Sequence, residues 1–557
     1  MRRNVSFVTA LAWILLKIWM SCMKYKLFRM LGLVLIFITT SVIFTGWTHY
    51  SGERFLRTQT SGGCKSCRHH MTSQGSVAFV EELLHDNVTY DLGLLPSWSA
   101  SRIYLDKNGS IQLGDVFTVT VRLYDGYNRP MYRGGDMLAI MMQNYSYGAG
   151  SVGHVVDHHN GSYTGILRAL WTGSVYISVR ILYPREALST YLKHMGPFSP
   201  GKTIMCVFQN DNARSETFGY PSVEPFRGIP FCNMTSENYG LAWYCVKPKN
   251  PLVCHDWVQF TSQPNNDILW TNKKIKDFYL MAKRARRIRD TISVIILGRP
   301  GTTMANAAET PCTSADISET WTQPYTSGFF YRSVWFSMAC SLKIDEHSLR
   351  KCLSNRRLHI LGDSTARQFF SNLYERLNMT MVTEKWTFRT WHRYTESQNR
   401  DMKFTMSWAP HELPLYFNGN RASARPLYVN IDDIPSGSND LVIIHIFVHF
   451  RFHHPSVFRE SIRRAAQATR RLMRRSPRAV VGIKGTHYFR FPKDEIDAGF
   501  GLVYDAIIRE EFSDMFSRVI LINEWDLILA SDILVLHPPA WLVKLLVDSF
   551  LGYACSL

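Results

Sequence analysis

The segment Leu358-His-Ile-Leu-Gly-Asp-Ser-Thr-Ala-Arg-Gln-Phe-Phe370 constrains the fold of this chain more than any other. An apolar, strand-like run from Leu358 to Leu361 stops at Gly362-Asp363-Ser364, and an amphipathic helix pattern begins at Thr365. A strand that hands over to a helix through so short a turn belongs to a layered α/β domain. It also places Ser364 where backbone N–H groups lack helical partners and the helix dipole favours negative charge. A serine hydroxyl there is placed to attack an ester carbonyl, with its own N–H facing the oxyanion that forms.

The residues around this segment repeat the pattern. Leu441–Phe447 is apolar except for His445, as expected of a buried parallel strand. Ser456–Arg475 aligns Phe458, Ile462, Ala465, Thr469 and Leu472 on one face and sets Arg459, Arg463, Arg470, Arg471 and Arg474 on the other, a crossover helix with a basic outer side. Ala479–Ile483 and Arg518–Ile522 read as further strands. Residues 311–557 are therefore expected to form a three-layer α/β domain, with Trp386–Tyr394 and Lys403–Trp408 as added strands or a lid. Ligands of such sheets bind beyond the carboxyl ends of the strands, where Ser364 falls.

Residues 85–256 have a different texture. Val116–Leu123 alternates apolar and polar, and Leu138–Met142, Tyr163–Ala169 and Gly173–Leu182 are further short strands separated by glycine-rich turns. This predicts a β-sandwich. Residues 257–310 are dense in Lys and Arg and read as a basic connector with a solvated helix face.

Met30–Trp47 is apolar, uncharged and long enough to cross a bilayer as a helix. Arg2, Arg3, Lys17, Lys24, Lys26 and Arg29 precede it, and no acid occurs before Glu53. The positive-inside rule then predicts a cytoplasmic tail over 1–29, a type II signal anchor over 30–47, a Ser/Thr/Gly-rich stalk over 48–84 and a luminal remainder. Ser6–Leu16 is a second, shorter apolar stretch, and the choice between Met1 and Met23 as start stays open. Sequons after the anchor at Asn87, Asn108, Asn144, Asn160, Asn233 and Asn378 suit a secretory glycoprotein.

Of the eleven cysteines, only Cys22 precedes the stalk. Cys206, Cys232, Cys245, Cys254, Cys312, Cys340, Cys352 and Cys555 are disulfide candidates of unknown connectivity. Cys64 and Cys67 lack a second Cys-x-x-Cys and read as a stalk disulfide, within one chain or linking two in a dimer. The net charge of +18 suits acidic glycans, and the topology argues against nucleic acid. His154, His158 and His159 are close in sequence, but no carboxylate pattern completes a metal set.

A serine nucleophile needs a base. His537, in Leu534-Val-Leu-His-Pro-Pro539 between a strand-like segment and the terminal helix, is the best placed. These segments, with Val448-His-Phe-Arg451 and Asn523-Glu-Trp-Asp526, resemble the PC-esterase domain. Tyr132-Arg-Gly-Gly-Asp136, Asn160-Gly-Ser-Tyr163 and Trp243-Tyr-Cys-Val-Lys-Pro248 resemble the neurexophilin-like domain. Together they resemble the neurexophilin and PC-esterase domain (NXPE) family.

The resemblance implies an immunoglobulin- or filamin-like sandwich followed by an SGNH-hydrolase-like domain. Relatives of the second domain add or remove acetyl groups on extracellular or Golgi glycans, sialic acid among them. It implies Ser364 as nucleophile and His537 as base, with Gly362, Asp363, His449 and Arg451 at the oxyanion or substrate side and Arg367 as support. No bound cofactor is implied; acetyl-CoA is the acetyl donor if the reaction is transfer. The expected partner is a glycan or glycoprotein, at the Golgi membrane or after cleavage and secretion.

Two departures stand out. Related esterases often carry an acid three residues before the histidine; here that position is Leu534, and Asp532 and Asp526 are the remaining candidates. Phe447 stands where family members have a glycine, and no asparagine is evident as an oxyanion donor. A degenerate, glycoprotein-binding protein is the alternative reading.

Overall fold

The computed structural model describes residues 77–106, 109–194, 201–265, 272–305, 309–322, 325–342, 344–384, 392–490 and 499–555. The expected cytoplasmic tail over 1–29 and signal anchor over 30–47, Cys64, Cys67 and Asn108 lie outside the described residues, as do residues 386–391 of the Trp386–Tyr394 segment. Among the described residues no helix is long and apolar enough to cross a membrane.

Two sheets share one core. Arg102–Leu105, Val116–Arg122, Ser162–Arg168 and His154–Asp157 form a four-stranded antiparallel sheet. Its inward residues Ile103, Val119, Val121 and Leu167 pack with Leu138, Ile140, Val175, Ile177 and Val179 of an eight-stranded sheet. Alternation explains the arrangement: Val116–Arg122 buries every second residue. The sheets come so close that a Cβ on Gly165 would fall 2.5 Å from Ile140 Cδ1.

Several sequence boundaries shift. The eight-stranded sheet also takes Ile292–Leu297 and Arg286–Arg287 from the segment read as a connector. It takes Gly328–Tyr331 and Val334–Ser337 from the segment assigned to the α/β domain. The end of the segment read as the stalk belongs to a helix, Val77–His85, that buries Phe79, Val80 and Leu83. Charge marked 257–310 as solvated, but arginine and lysine on exposed positions are compatible with a strand whose alternate residues are buried.

A third, six-stranded sheet contains Gly201–Gln209, Arg214–Tyr220, Phe231–Asn233, Tyr244–Val246 and Trp257–Asn265. Cys206–Cys245 and Cys232–Cys254 tie it together. Its core residues Phe208, Trp243 and Phe260 pack with Leu413, Tyr416, Phe417 and Phe450 of the α/β region, and Gly419–Asn420 of that region adds a strand to its edge.

The α/β region is built on a seven-stranded sheet in the order 380–381, 395–399, 404–409, 357–362, 441–445, 480–484, 519–522. The last five of these run parallel. Leu358, Ile360, Leu441, Ile443 and Ile520 face the helices Ser364–Arg376 and Ala540–Ala554. Leu361, Val442, Ile444, Val481 and Leu521 face Pro455–Arg475 and Gly501–Glu511. Burial on both faces is why these strands read as continuous apolar runs.

In the Pro455–Arg475 helix, Thr469 fits the apolar stripe because its hydroxyl donates to Ala465 O at 2.9 Å. The basic outer side is largely paired: Arg459 with Glu510 and Glu511, Arg470 with Asp514, Arg471 with Asp432. Cys352–Cys555 joins the terminal helix to Glu346–Leu353, and Cys312–Cys340 ties the approach to the sheet.

Candidate active site

The central strand Arg357–Gly362 ends beside Leu441–His445, with Gly362 opposite His445. Gly362 has φ 150°, and a Cβ there would lie 1.7 Å from His445 O. Only glycine lets the two strand ends run this close before the chain turns.

Asp363 is the N-cap of the Ser364–Arg376 helix. Its Oδ1 accepts from Thr365 N and Thr365 Oγ1, both at 2.8 Å, and from Ala366 N at 3.4 Å. Its Oδ2 accepts from Val448 N at 3.1 Å, so one buried carboxylate braces both the nucleophile turn and the loop after the next strand. Burial opposes its ionisation. His445, His449, Lys484 and His411 outweigh that and hold the carboxyl well below the usual range. Asp363 thus supports the turn and spends its oxygens on protein donors.

Ser364 is buried at the first helical position, and its Oγ lies 2.8 Å from His537 Nε2. Its N–H is among those with no acceptor inside the helix. Loss of hydration lowers the His537 pKa, against the pull of Asp363, and His487, Arg367 and Lys484 lower it further. The ring is therefore mainly neutral at neutral pH, the form a general base requires.

Among the described residues no carboxylate bonds the His537 ring. Asp526, offered by sequence, accepts from Ser327 N at 2.8 Å and Asn523 Nδ2 at 3.1 Å. Asp532, in a left-handed helix-terminating conformation, pairs with Arg180 at 2.9 Å and Arg287 at 3.7 Å. Both acids tie the α/β region to its neighbours.

His449 Nδ1 lies 2.8 Å from His411 Nε2, and His411 Nδ1 lies 2.7 Å from Glu412 O. A carbonyl only accepts, so His411 Nδ1 carries the proton. Burial depresses the His411 pKa to about 4, which keeps that ring neutral and its Nε2 an acceptor. His449 must then donate from Nδ1. Its Nε2 is an acceptor unless the ring is charged, so it serves as an oxyanion donor only as an imidazolium.

Arg451 is placed differently from the substrate-side role the resemblance implies. It is buried, donates to Val448 O at 2.8 Å, and lies over the Phe452 and Phe489 rings. It supports the His449 loop from beneath. Arg367 lies 5.7 Å over the Trp408 ring, one turn into the nucleophile helix. Phe447 does not block the site: it is fully buried against His487, Phe489 and Tyr504.

Sequence reasoning did not single out the polar chain beneath the pair. Lys484 bonds Glu524 and lies 3.3 Å from Thr365 Oγ1 and 3.4 Å from His445 Nε2. His487 Nδ1 lies 2.9 Å from Glu524 Oε2 and its Nε2 lies 3.1 Å from Leu536 O. Lys484, His487 and Glu524 all sit at or just beyond strand carboxyl ends, the one signal that marked them. Among the described residues no group of three or more His, Cys, Asp or Glu is arranged to hold a metal ion.

Two family models match the chain. The one described as NXPE family member 4-like, C-terminal domain, matches residues 335–555, and the one described as Neurexophilin matches residues 121–269. Together they cover about two thirds of the sequence. Among solved structures, the crystal structure of invasin, a bacterial integrin-binding protein, is similar at 12% identity with a TM-score of 0.13. That similarity covers 57% of this chain and 60% of invasin, and carries no argument about fold or function.

Proposed function

This chain belongs to the NXPE family, and on that premise we propose that it is a serine-dependent glycan O-acetyltransferase or O-acetylesterase of the secretory pathway, acting in the Golgi lumen on substrates such as sialic acid. The reading joins an immunoglobulin- or filamin-like sandwich to an SGNH-hydrolase-like α/β domain. The observation that carries it is the 2.8 Å approach of Ser364 Oγ to His537 Nε2 at a helix N-terminus.

The Ser364 oxygen adds to the acetyl carbonyl carbon as its proton passes to His537 Nε2. The tetrahedral oxyanion faces the Ser364 N–H and the positive end of the helix. Collapse breaks the bond to the leaving group, which takes the proton from His537, and leaves acetyl-Ser364. An acceptor hydroxyl then gives its proton to His537 and attacks the acyl carbon; the Ser364 oxygen departs and takes that proton back from His537, which restores both residues. With a sugar acceptor this is transfer, from a donor such as acetyl-CoA. With water it is hydrolysis.

The disulfides support an oxidising compartment. The decisive experiment expresses wild-type chain and Ser364→Ala in cells and measures O-acetylation of released glycans by mass spectrometry. Wild type shifts acetylation and the variant does not; equal acetylation in the two refutes the reading.

That no carboxylate among the described residues bonds His537 favours a second reading, a degenerate domain that serves a glycoprotein-binding sandwich. A fluorophosphonate probe separates the two. Labelling at Ser364 supports the enzyme, and silence on folded protein supports the binding protein.

A further inference from the structure

We infer that Gln368 and His487 are positioning residues that hold the His537 backbone, where among the described residues no carboxylate orients the ring; this rests on the serine–histidine reading above. Gln368 lies on the same helix as Ser364, four residues on, and its Nε2 donates to Pro538 O at 2.8 Å. His487 Nε2 donates to Leu536 O at 3.1 Å. The two bonds grip the peptide carbonyls on either side of His537.

The local sequence explains why the grip falls on carbonyls. Pro538 and Pro539 have no N–H to offer, and their fixed φ stiffens the stretch between His537 and the helix that starts at Ala540. A held carbonyl before the histidine and another after it fix its Cα and limit the path of its side chain. His487 is itself held: its side chain is fully buried, and its Nδ1 faces Glu524 Oε2, which also bonds Lys484. Lys484 reaches Thr365 next to the nucleophile. The base loop and the nucleophile turn are thus braced from one buried polar chain on one side and from the nucleophile helix on the other.

Such a clamp differs from a carboxylate in its consequences. It orients the imidazole through the backbone rather than through a bond to the ring. Loss of either bond should therefore slow the chemical step and leave substrate binding unchanged.

The test uses the full chain with Gln368→Met, His487→Leu, and His487→Gln, whose amide restores a donor near the position of Nε2. Readouts are the rate of Ser364 labelling by a fluorophosphonate, kcat and KM for p-nitrophenyl acetate, and the unfolding midpoint. Each of Gln368→Met and His487→Leu is expected to slow labelling and kcat roughly 10-fold at unchanged KM, as misorientation predicts. His487→Gln recovers most of that loss. Folded Gln368→Met protein that labels at the wild-type rate overturns the inference; its side chain is only half-buried, so this arm stands even where His487→Leu does not fold.

Wild-type protein that takes no label instead overturns the serine–histidine reading. The clamp is then judged by crystal structures of wild type and Gln368→Met. Displacement of the imidazole from Ser364 by about 1 Å or more supports it, and an unchanged contact rejects it.

Discussion

Asp532 Oδ1 lies 2.9 Å from Arg180, in the middle of the long sandwich strand Gly173–Tyr183, and the aspartate is thereby committed away from His537. Asp532→Asn keeps a residue that tolerates the left-handed backbone and removes the charge. It is expected to cost about 1 kcal/mol of stability, as for a partly exposed pair, and to change the Ser364 labelling rate less than about 2-fold. A large drop in labelling without loss of stability would restore Asp532 as the orienting acid.

The His537 base sets the expected pH profile. Its pKa lies below the usual 6.5, chiefly through lost hydration. The reactive neutral form is therefore lost as pH falls through that lowered value and predominates above 6.5. Labelling of Ser364 should rise from acid pH, reach half its maximum below about 6.5 and stay flat through neutrality. A midpoint above about 6.5 contradicts the environment described for this ring.

The parallel strands and the serine–histidine pair were legible because each is a local pattern. A strand buried on both faces is apolar throughout, Ser364 opens a helix after a tight turn, and His537 lies in the short segment before another. The acids were not legible, since spacing along the chain does not encode where a carboxylate finds its partner. Asp526 and Asp532 are near His537 in sequence, yet they bond Ser327 and Arg180 from other parts of the chain. Phe447 was not legible for a related reason: the chain leaves the strand after His445, and the ring packs against Tyr504 of the Gly501–Glu511 helix. The connector reading of 257–310 expected a helix with a solvated basic face; the helix Lys273–Ala282 is there, but the charge hid Ile292–Leu297, which alternates in burial as a strand.

Asp363 should dominate the acid sensitivity of the site. Its folded pKa lies below the unfolded value of about 3.9, so its stabilisation is complete above that value and is lost as pH falls through the folded one. Asp363→Asn turns one oxygen into an N–H donor facing donors and removes the anion among His445, His449, Lys484 and His411. The expected cost is about 3 kcal/mol or more by urea unfolding, constant above about pH 5 and smaller only in stronger acid. Stability equal to wild type at neutral pH would show that the charge is not needed.

Gly362→Ala tests the strand junction. The added methyl meets His445 O, and the backbone conformation is itself unfavourable for alanine. The expected loss is about 3 kcal/mol or more, seen as poor secretion or a lowered unfolding midpoint. An alanine variant that folds normally and takes the serine probe would contradict the close approach.

Glycan occupancy tests the sandwich independently of catalysis. Asn87, Asn160, Asn233 and Asn378 are exposed. Asn144 is buried, caps the turn Tyr145–Tyr147 by accepting from Tyr147 N at 3.1 Å, and donates to Ser174 O at 2.7 Å. A glycan on that buried nitrogen would take one of its two N–H groups and force a polar chain into the sheet, so the sequon at Asn144 is incompatible with the fold despite its sequence. Mass spectrometry of secreted protein should find Asn144 unmodified while exposed sequons carry glycans. Substantial occupancy at Asn144 would mean that the end of the Met137–Asn144 strand is open when the chain enters the lumen, and that the cap and the Ser174 contact form otherwise than described.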